Sequence, residues 1–578
     1  MPAAVLPLDI RMFEWFDHHA WGYWALALGS LGLLLATVAA SVSTPTGIVP
    51  ASRLRGVATS RTLFVVGVLL TFFAFRWPAF FSGQMENPDE AQWIAGALTL
   101  REGGLPWKSF DGQTSGPLNA YALLLTAPLG LPLNYLGARV LASLFQAAAV
   151  LALYAAVRRR APEWVARLAV LPAVPLWAFG PFHDLLQYSS EHVSVLLLAL
   201  GGWAASSALT RRHGRLSLAL LTLAGALVGA PFFAKPQSLP LAAALLVLIV
   251  GAVWLAGDGA PRASQRRAQT AALVAGALAP LAVFVGYISL YGLWGQIRVF
   301  FWQSNALYAA HREYPLSGIP EAFFRLASPA PGVTAATLCA LGFCLTTVVP
   351  AWGAHRVGRP RLLGAWLLLG AALLGVHTSG RHFTHYLHFL VLPLCWCTAV
   401  HLDGVRRCFA AQEPSGRWSQ RGKLALAFSL AVLAWPTWQR LDLCRPMNGQ
   451  LYFWRARQTS PLSERIRSEA RPGDKLVVWG WAPGYHAETG LPQGVRDSHS
   501  ERSLNAGPLQ SNYRSRFLFD LKRHRPRWFI DAVAPGQFGY SERSLFGHDT
   551  WPELREIVER DYSLVDESCG VRLYLHRD

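Results

Sequence analysis

The sequence predicts a polytopic α-helical membrane protein of about 12 transmembrane helices. It adds juxtamembrane helices in the first external loop and a small extracytoplasmic α/β domain at the C-terminus. Three observations predict this. Apolar runs of about 20 residues recur along the first three quarters of the chain, each long enough to cross a hydrocarbon core of about 30 Å. Only 15% of the 578 residues are charged and 52% are hydrophobic, whereas a soluble domain carries about 25% charged residues. The arginines gather in short loops between alternate runs, the positive-inside pattern.

Each span follows from its apolar run. The first four are Trp21 to Ser41, Thr62 to Phe80, Leu136 to Val157 and Val165 to Phe182. Val193 to Leu209, Leu216 to Phe233, Leu239 to Leu255 and Ala271 to Tyr291 come next. The last four are Val333 to Ala351, Leu362 to Val376, Leu387 to Val400 and Leu424 to Trp438. Six alternate connections carry the basic residues, from Arg53, Arg55 and Arg61 through Arg158 to Arg160 and on to Arg417, Arg421 and Lys423. That face is therefore expected to be cytoplasmic. Pro117 to Leu131 is apolar but short, and counting it as a span would put Arg158 to Arg160 outside. It reads as a juxtamembrane or re-entrant helix.

The opposite face receives the loop 82–135, connections near His183, Lys235 and Arg381, an aromatic loop 292–332 and the C-terminal region. The aromatic loop is expected to lie along the interface. Residues 1–440 read as the membrane domain and 441–578 as an α/β domain. In the latter, strands are expected at Leu476 to Trp481, Trp528 to Val533 and Val571 to Leu575, and helices at Tyr513 to Arg523 and Trp551 to Glu559. Cys339, Cys344, Cys395 and Cys397 lie in apolar runs as packing residues. Cys444 and Cys569 can pair if their region is extracytoplasmic. The net charge of +18 comes from arginines outnumbering lysines 47 to five. This is the composition of a GC-rich bacterial genome, and with the basic residues dispersed in loops no nucleic-acid partner is expected.

Four groups of residues on the outer face can carry chemistry. Asn87-Pro88-Asp89-Glu90 opens a helix. It reads first as an ordinary cap with acids in the first turn, and alternatively as a carboxylate held rigidly at a cavity mouth to accept a proton. His183-Asp184 and Glu191-His192 border a span, where ionisable groups are costly and suggest a water-filled site. Their spacing matches no tight metal motif, so neither metal nor cofactor is expected, although a divalent ion is not excluded. Lys235-Pro236-Gln237 places a cation on the side where positive charge is scarce, which suits a lipid phosphate as well as a snorkelling lysine. Arg381, His382, His385 and the adjoining Tyr386 offer several donors to one anion.

These residues resemble a known family. Asn87-Pro-Asp89-Glu90, Gly103-Gly104-Leu-Pro-Trp107 and Thr114-Ser-Gly-Pro-Leu-Asn119 are similar to the first external loop of C-type membrane glycosyltransferases. The nearest branch is that of the protein mannosyltransferases and aminoarabinose transferases. Lys235-Pro-Gln237 and Arg381-His-Phe-Thr-His385-Tyr386 are similar to later family segments. The resemblance implies transfer of a sugar from a polyprenyl-phosphate donor to a hydroxyl on a glycan, lipid or protein, at the outer face of a bacterial inner membrane. It implies Asp89 as the catalytic carboxylate with Glu90 beside it, and Lys235, Arg381 and His385 on the donor phosphate. Two features depart from the family: an additional N-terminal span, and Ser115-Gly-Pro117 where the aminoarabinose branch has a basic residue before two prolines. A flippase or transporter of lipid-linked glycans and a non-catalytic assembly partner remain as alternatives. Ion-coupled transport is disfavoured because charge at mid-span is nearly absent.

Overall fold

The computed structural model describes residues 19–46, 60–80, 85, 87–178, 185, 187–211, 214–255, 262–315, 317, 359–381, 383–409, scattered positions within 424–434, and 459–577. Among these residues eight helices are long and apolar enough to cross a membrane. They are Trp21–Val42, Tyr135–Arg158, Ser190–Thr210, Arg215–Phe233, Pro236–Trp254, Ala263–Leu290, Pro360–His377 and Thr384–Arg407. Each coincides with an expected span. The chain is thus a multi-pass membrane protein, though the expected total of about 12 spans is not reached in the described residues.

The other four expected spans fare differently. Thr62 to Phe80 forms a 20-residue helix, Arg61–Phe80. Val165 to Phe182 is not one continuous helix: it breaks into Glu163–Ala169 and Ala173–Trp177. Pro172 caps the second piece and Pro175 lies within it, and a proline in a helix interior removes a backbone donor and crowds the preceding turn. Val333 to Ala351 lies outside the described residues, and so does most of Leu424 to Trp438.

Local signals set the helix starts. The Asn134 side chain accepts the Gly137 amide at 3.3 Å and opens Tyr135–Arg158. Ser189 and His192 form a capping box at the head of Ser190–Thr210. Small residues then permit close packing. A Cβ on Gly225 would lie 2.0 Å from the Leu273 carbonyl oxygen, and one on Gly276 would lie 2.0 Å from that of Thr222. The Arg215–Gly229 and Ala263–Leu290 helices therefore meet backbone to backbone, as glycine allows in a membrane.

The first external loop is helical where expected. Pro88–Arg101 is a buried helix, and Pro117 to Leu131 becomes a short helix, Leu118–Leu123, followed by a 3-10 turn, the juxtamembrane form. The C-terminal region carries a four-stranded sheet of β1 (Leu476–Trp479), β2 (Trp528–Asp531), β3 (Tyr562–Ser568) and β4 (Val571–His576), in the order β1-β2-β4-β3. β1 and β2 are parallel and joined through the Gln510–His524 helix, whereas β4 is antiparallel to β2 and β3. The parallel pair β1 and β2 is buried on both faces, so each reads as an apolar run rather than an alternating one. β3 is an addition to the expected elements. It is an edge strand carrying Asp566 and Glu567, and this polar face gave no strand signal. Cys395 and Cys397 are buried thiols, as expected, while Cys339, Cys344 and Cys444 fall outside the described residues.

Candidate active site

The loop helix sets the geometry. Asn87 caps it by accepting the Asp89 amide at 2.9 Å, and Pro88 occupies the first turn. The two acids of that turn then part ways. Glu90 points inward, fully buried, and receives Arg139 Nε at 3.1 Å to each oxygen and Arg139 Nη2 at 2.7 Å. The Tyr188 amide also donates to Glu90 at 2.8 Å, and Arg139 Nη1 reaches the Ala79 carbonyl at 2.9 Å. A carboxylate so occupied ties together the loop helix, the Tyr135–Arg158 helix and the Tyr188 segment. Asp89, one residue earlier, is half-exposed.

The second loop motif clamps the Lys235 segment. The Gly116 amide donates to the Ala234 carbonyl at 3.0 Å, and Asn119 Nδ2 reaches the same oxygen at 2.8 Å. A Cβ on Gly116 would stand 2.0 Å from the Phe233 carbonyl oxygen, so glycine alone fits there. Asn119 is in turn tied to Tyr188, whose hydroxyl donates to its carbonyl at 2.8 Å. Gly116→Val is expected to displace Lys235. In purified protein it should cause a clear drop in melting temperature.

Lys235 is buried, with Nζ 3.4 Å from Glu191 Oε1 and 5.3 Å from the centroid of Tyr386. Burial opposes its charge, but the Glu191 and Asp89 carboxylates outweigh that and raise its pKa. The Tyr386 hydroxyl lies 3.2 Å from that of Tyr308, and the Arg381 guanidinium sits 5.4 Å from the Tyr308 ring. Tyr308 also feels the charges of Lys235 and Asp89. His385 stacks on Phe383 and packs edge-on against Tyr386. Five of the expected residues, Asp89, Glu191, Lys235, His385 and Tyr386, thus share one electrostatic neighbourhood. Arg381 joins it through Tyr308 while pairing with Glu313 at 2.9 Å.

Other expectations fall elsewhere. His192 turns away from this cluster to a buried polar network: its Nε2 lies 2.6 Å from Gln146 Nε2, and its ring centroid 4.4 Å from that of His388. Arg76 anchors the network through Gln146 and the carbonyls of Trp177 and Leu185, each at 2.9 Å. Gln237 is half-buried on the neighbouring turn, and among the described residues its Nε2 makes no hydrogen bond. His183, Asp184 and His382 lie outside the described residues. Sequence reasoning missed Arg139, which sits inside an apolar span, and Tyr308, which looked like one more interfacial aromatic. A buried arginine within an apolar run is costly unless paired, and that was the available signal for Arg139.

The C-terminal domain reaches the same region. The Asp111 amide donates to the Arg496 carbonyl at 2.8 Å, and Gln113 Nε2 lies 3.0 Å from His499 Nε2. Burial and the neighbouring Arg502 push the His499 imidazole down to about 3, so it stays neutral. Arg516 bridges Asp111 at 2.7 Å and Asp497, and its guanidinium lies 3.7 Å from the Phe300 ring centroid. Burial pushes Asp497 up to about 6 even beside Arg516. Glu501 is close enough to Asp89 for their charges to interact.

Among the described residues one group offers metal-ligand geometry: Asp531, His548 and Asp549, in the C-terminal domain. Arg543 already neutralises the Asp531 carboxylate at 3.0 Å, and the His548 amide donates to it at 3.1 Å. That is the pattern of a satisfied structural acid.

The membrane helices, the helical first external loop and the C-terminal α/β domain together make up a fold shared with solved integral-membrane proteins. Among solved structures, the chain is similar to ArnT, an aminoarabinose transferase from Cupriavidus metallidurans, bound to undecaprenyl phosphate. The TM-score is 0.54 and the identity 14%, over 89% of this chain and 98% of that one. The apo state of the same protein gives a TM-score of 0.50 at 14% identity, over the same shares. The Archaeoglobus fulgidus oligosaccharyltransferase in complex with zinc and sulfate gives 0.43 at 12% identity, over 81% of this chain and 68% of that one. No family model and no curated protein matches the sequence.

Proposed function

We propose that this protein transfers a sugar from a polyprenyl-phosphate donor to a hydroxyl acceptor at the extracytoplasmic face of a bacterial inner membrane. The observation that carries the reading is the convergence of one half-exposed carboxylate, Asp89, with a buried cation, Lys235, and the Tyr386–Tyr308–Arg381 chain. In the reaction the acceptor oxygen attacks the anomeric carbon while the bond from that carbon to the phosphate oxygen breaks. Asp89 takes the acceptor proton, and the polyprenyl phosphate leaves as an anion stabilised by Lys235 and Arg381. His385 and Tyr386 add donors to the same oxygens. Glu90 holds the loop in place through Arg139. The acceptor is a glycan, a lipid or a protein. Undecaprenyl phosphate in the ArnT structure supports this donor class.

Lys235→Ala is the direct test. Removal of a buried cation from a phosphate should weaken undecaprenyl phosphate binding by about tenfold to a hundredfold, as read by titration of the purified protein. Mass spectrometry of cell-surface glycans should show one sugar substituent missing when the protein is deleted. Unchanged affinity together with unchanged glycans would remove this reading.

A further inference from the structure

Loop 104–119 touches both halves of the proposed reaction centre. On one side it bears on the helix that carries Asp89. A Cβ on Gly96 would lie 3.1 Å from Phe110 Cδ2, and one on Gly112 would lie 3.2 Å from Trp93 Cη2. Trp93 stands one helical turn after Asp89. On the other side the Gly116 amide and Asn119 Nδ2 hold the Ala234 carbonyl, next to Lys235. A tight turn, with the Ser115 amide donating to the Gly112 carbonyl at 3.0 Å, joins the two sides. A tilt of this loop therefore changes the spacing between the proposed base and the proposed phosphate cation.

The crest of the loop is gripped from the C-terminal region. Asp111 uses both carboxylate oxygens: Oδ1 accepts the Gln113 amide at 2.7 Å, and Oδ2 accepts Arg516 Nη1 at 2.7 Å. Its own amide donates to the Arg496 carbonyl at 2.8 Å, and Arg496 is itself fixed by Nε and Nη2 bonds to Asp520 at 2.9 and 2.8 Å. Arg516 Nη2 meets Asp497 at 2.5 Å. Asp111, Asp497 and Arg516 are all buried. Gln113 is held at φ +53°, a left-handed conformation uncommon outside glycine. Such a conformation persists where the surroundings over-determine it.

Such a network is a poor source of stability. Two buried carboxylates share one guanidinium, and apolar residues of similar volume often serve a fold as well or better. What the network supplies is a fixed geometry between two segments. Geometry matters at a reacting centre, where a displacement of about 1 Å costs about a hundredfold in rate. From this arrangement we infer that Arg516 is a positioning residue for the proposed transfer, holding loop 104–119 through Asp111 so that Asp89 and Lys235 keep the spacing the reaction needs. The inference rests on the proposed function and deepens it: the C-terminal region governs turnover through the loop rather than through the substrate.

The test expresses the full chain in a strain deleted for the protein. It reads the rate at which the sugar substituent appears on surface glycans by mass spectrometry, per unit of folded protein. Undecaprenyl phosphate affinity and melting temperature are measured on the same chains in nanodiscs. Asp111→Asn is nearly isosteric and leaves Arg516 paired with Asp497. It should slow transfer about tenfold to a hundredfold with undecaprenyl phosphate affinity unchanged, because Gly116 and Asn119 still hold the Lys235 segment. Asp531→Asn is the structural control, a buried acid bonded within the C-terminal region to Arg543 and His548. It should lower the melting temperature and leave transfer per folded chain unchanged. Wild-type transfer in Asp111→Asn overturns the inference, and so does an equal loss in Asp531→Asn, which would make the effect one of stability. If Asp111→Asn does not accumulate, Arg516→Lys decides. One ammonium keeps the charge but lacks the planar fork that holds two carboxylates, so transfer should slow in folded protein, and undiminished transfer overturns the idea. The two readings fail separately. A wild-type chain that restores no substituent removes the proposed function and this inference with it, whereas equal restoration by wild type and Asp111→Asn removes only the role of Arg516.

Discussion

Asp89→Asn is expected to abolish sugar transfer while leaving the protein folded. The amide is nearly isosteric with the carboxylate, and Asn87 caps the helix through the backbone amide of residue 89 rather than its side chain. The loop geometry should therefore survive. What is lost is a base within reach of the acceptor hydroxyl, and positioned general-base catalysis contributes about 10²-fold to 10⁴-fold. Turnover measured with a polyprenyl-phosphate sugar and a membrane acceptor should fall by that factor, with undecaprenyl phosphate binding intact or tighter. Tighter binding is reasonable because Asp89 places a negative charge in the neighbourhood of Lys235. Wild-type turnover in Asp89→Asn would give the proton to another group and reopen the site.

Arg139→Ala should be the most damaging change to stability. Arg139 and Glu90 are both essentially inaccessible to solvent, so removing the cation leaves an uncompensated carboxylate in an apolar setting. Breaking one side of such a buried pair costs about 3–5 kcal/mol. The Tyr188 amide and the Ala79 carbonyl would also lose organised partners, and Asp89 shares a helical turn with Glu90. Low yield, a steep drop in melting temperature and lost transfer should appear together in detergent-solubilised protein. Glu90→Leu combined with Arg139→Met should regain much of the stability, because replacing a buried pair by apolar residues of similar volume is often neutral or favourable. If the double variant also regains transfer, Glu90 only supports the loop; if it regains stability alone, Glu90 aims Asp89.

The readable part of the site was the part written in local sequence. Asn87, Pro88 and the two acids announce a helix start, and the structure has it. Lys235 stood out because its sign runs against the topology bias on that face. His385 and Tyr386 were legible as neighbours in one short run. The division of labour between Asp89 and Glu90 was not legible, since adjacent acids in a first turn look alike until a partner 49 residues away claims one of them.

The sequence by itself determined eight of the membrane spans, the helical first loop, three of the four strands of the C-terminal sheet, and the short motifs. Each is governed by interactions within a few residues or by partition into a bilayer, and both leave a periodic or compositional trace. Only the tertiary structure decided which ionisable groups meet, which of two acids is buried, and that the C-terminal region contacts the first external loop. A Coulomb interaction or a hydrogen bond depends on distance in space, and folding brings Asp89, Lys235, Tyr308 and Glu501 together irrespective of their separation along the chain.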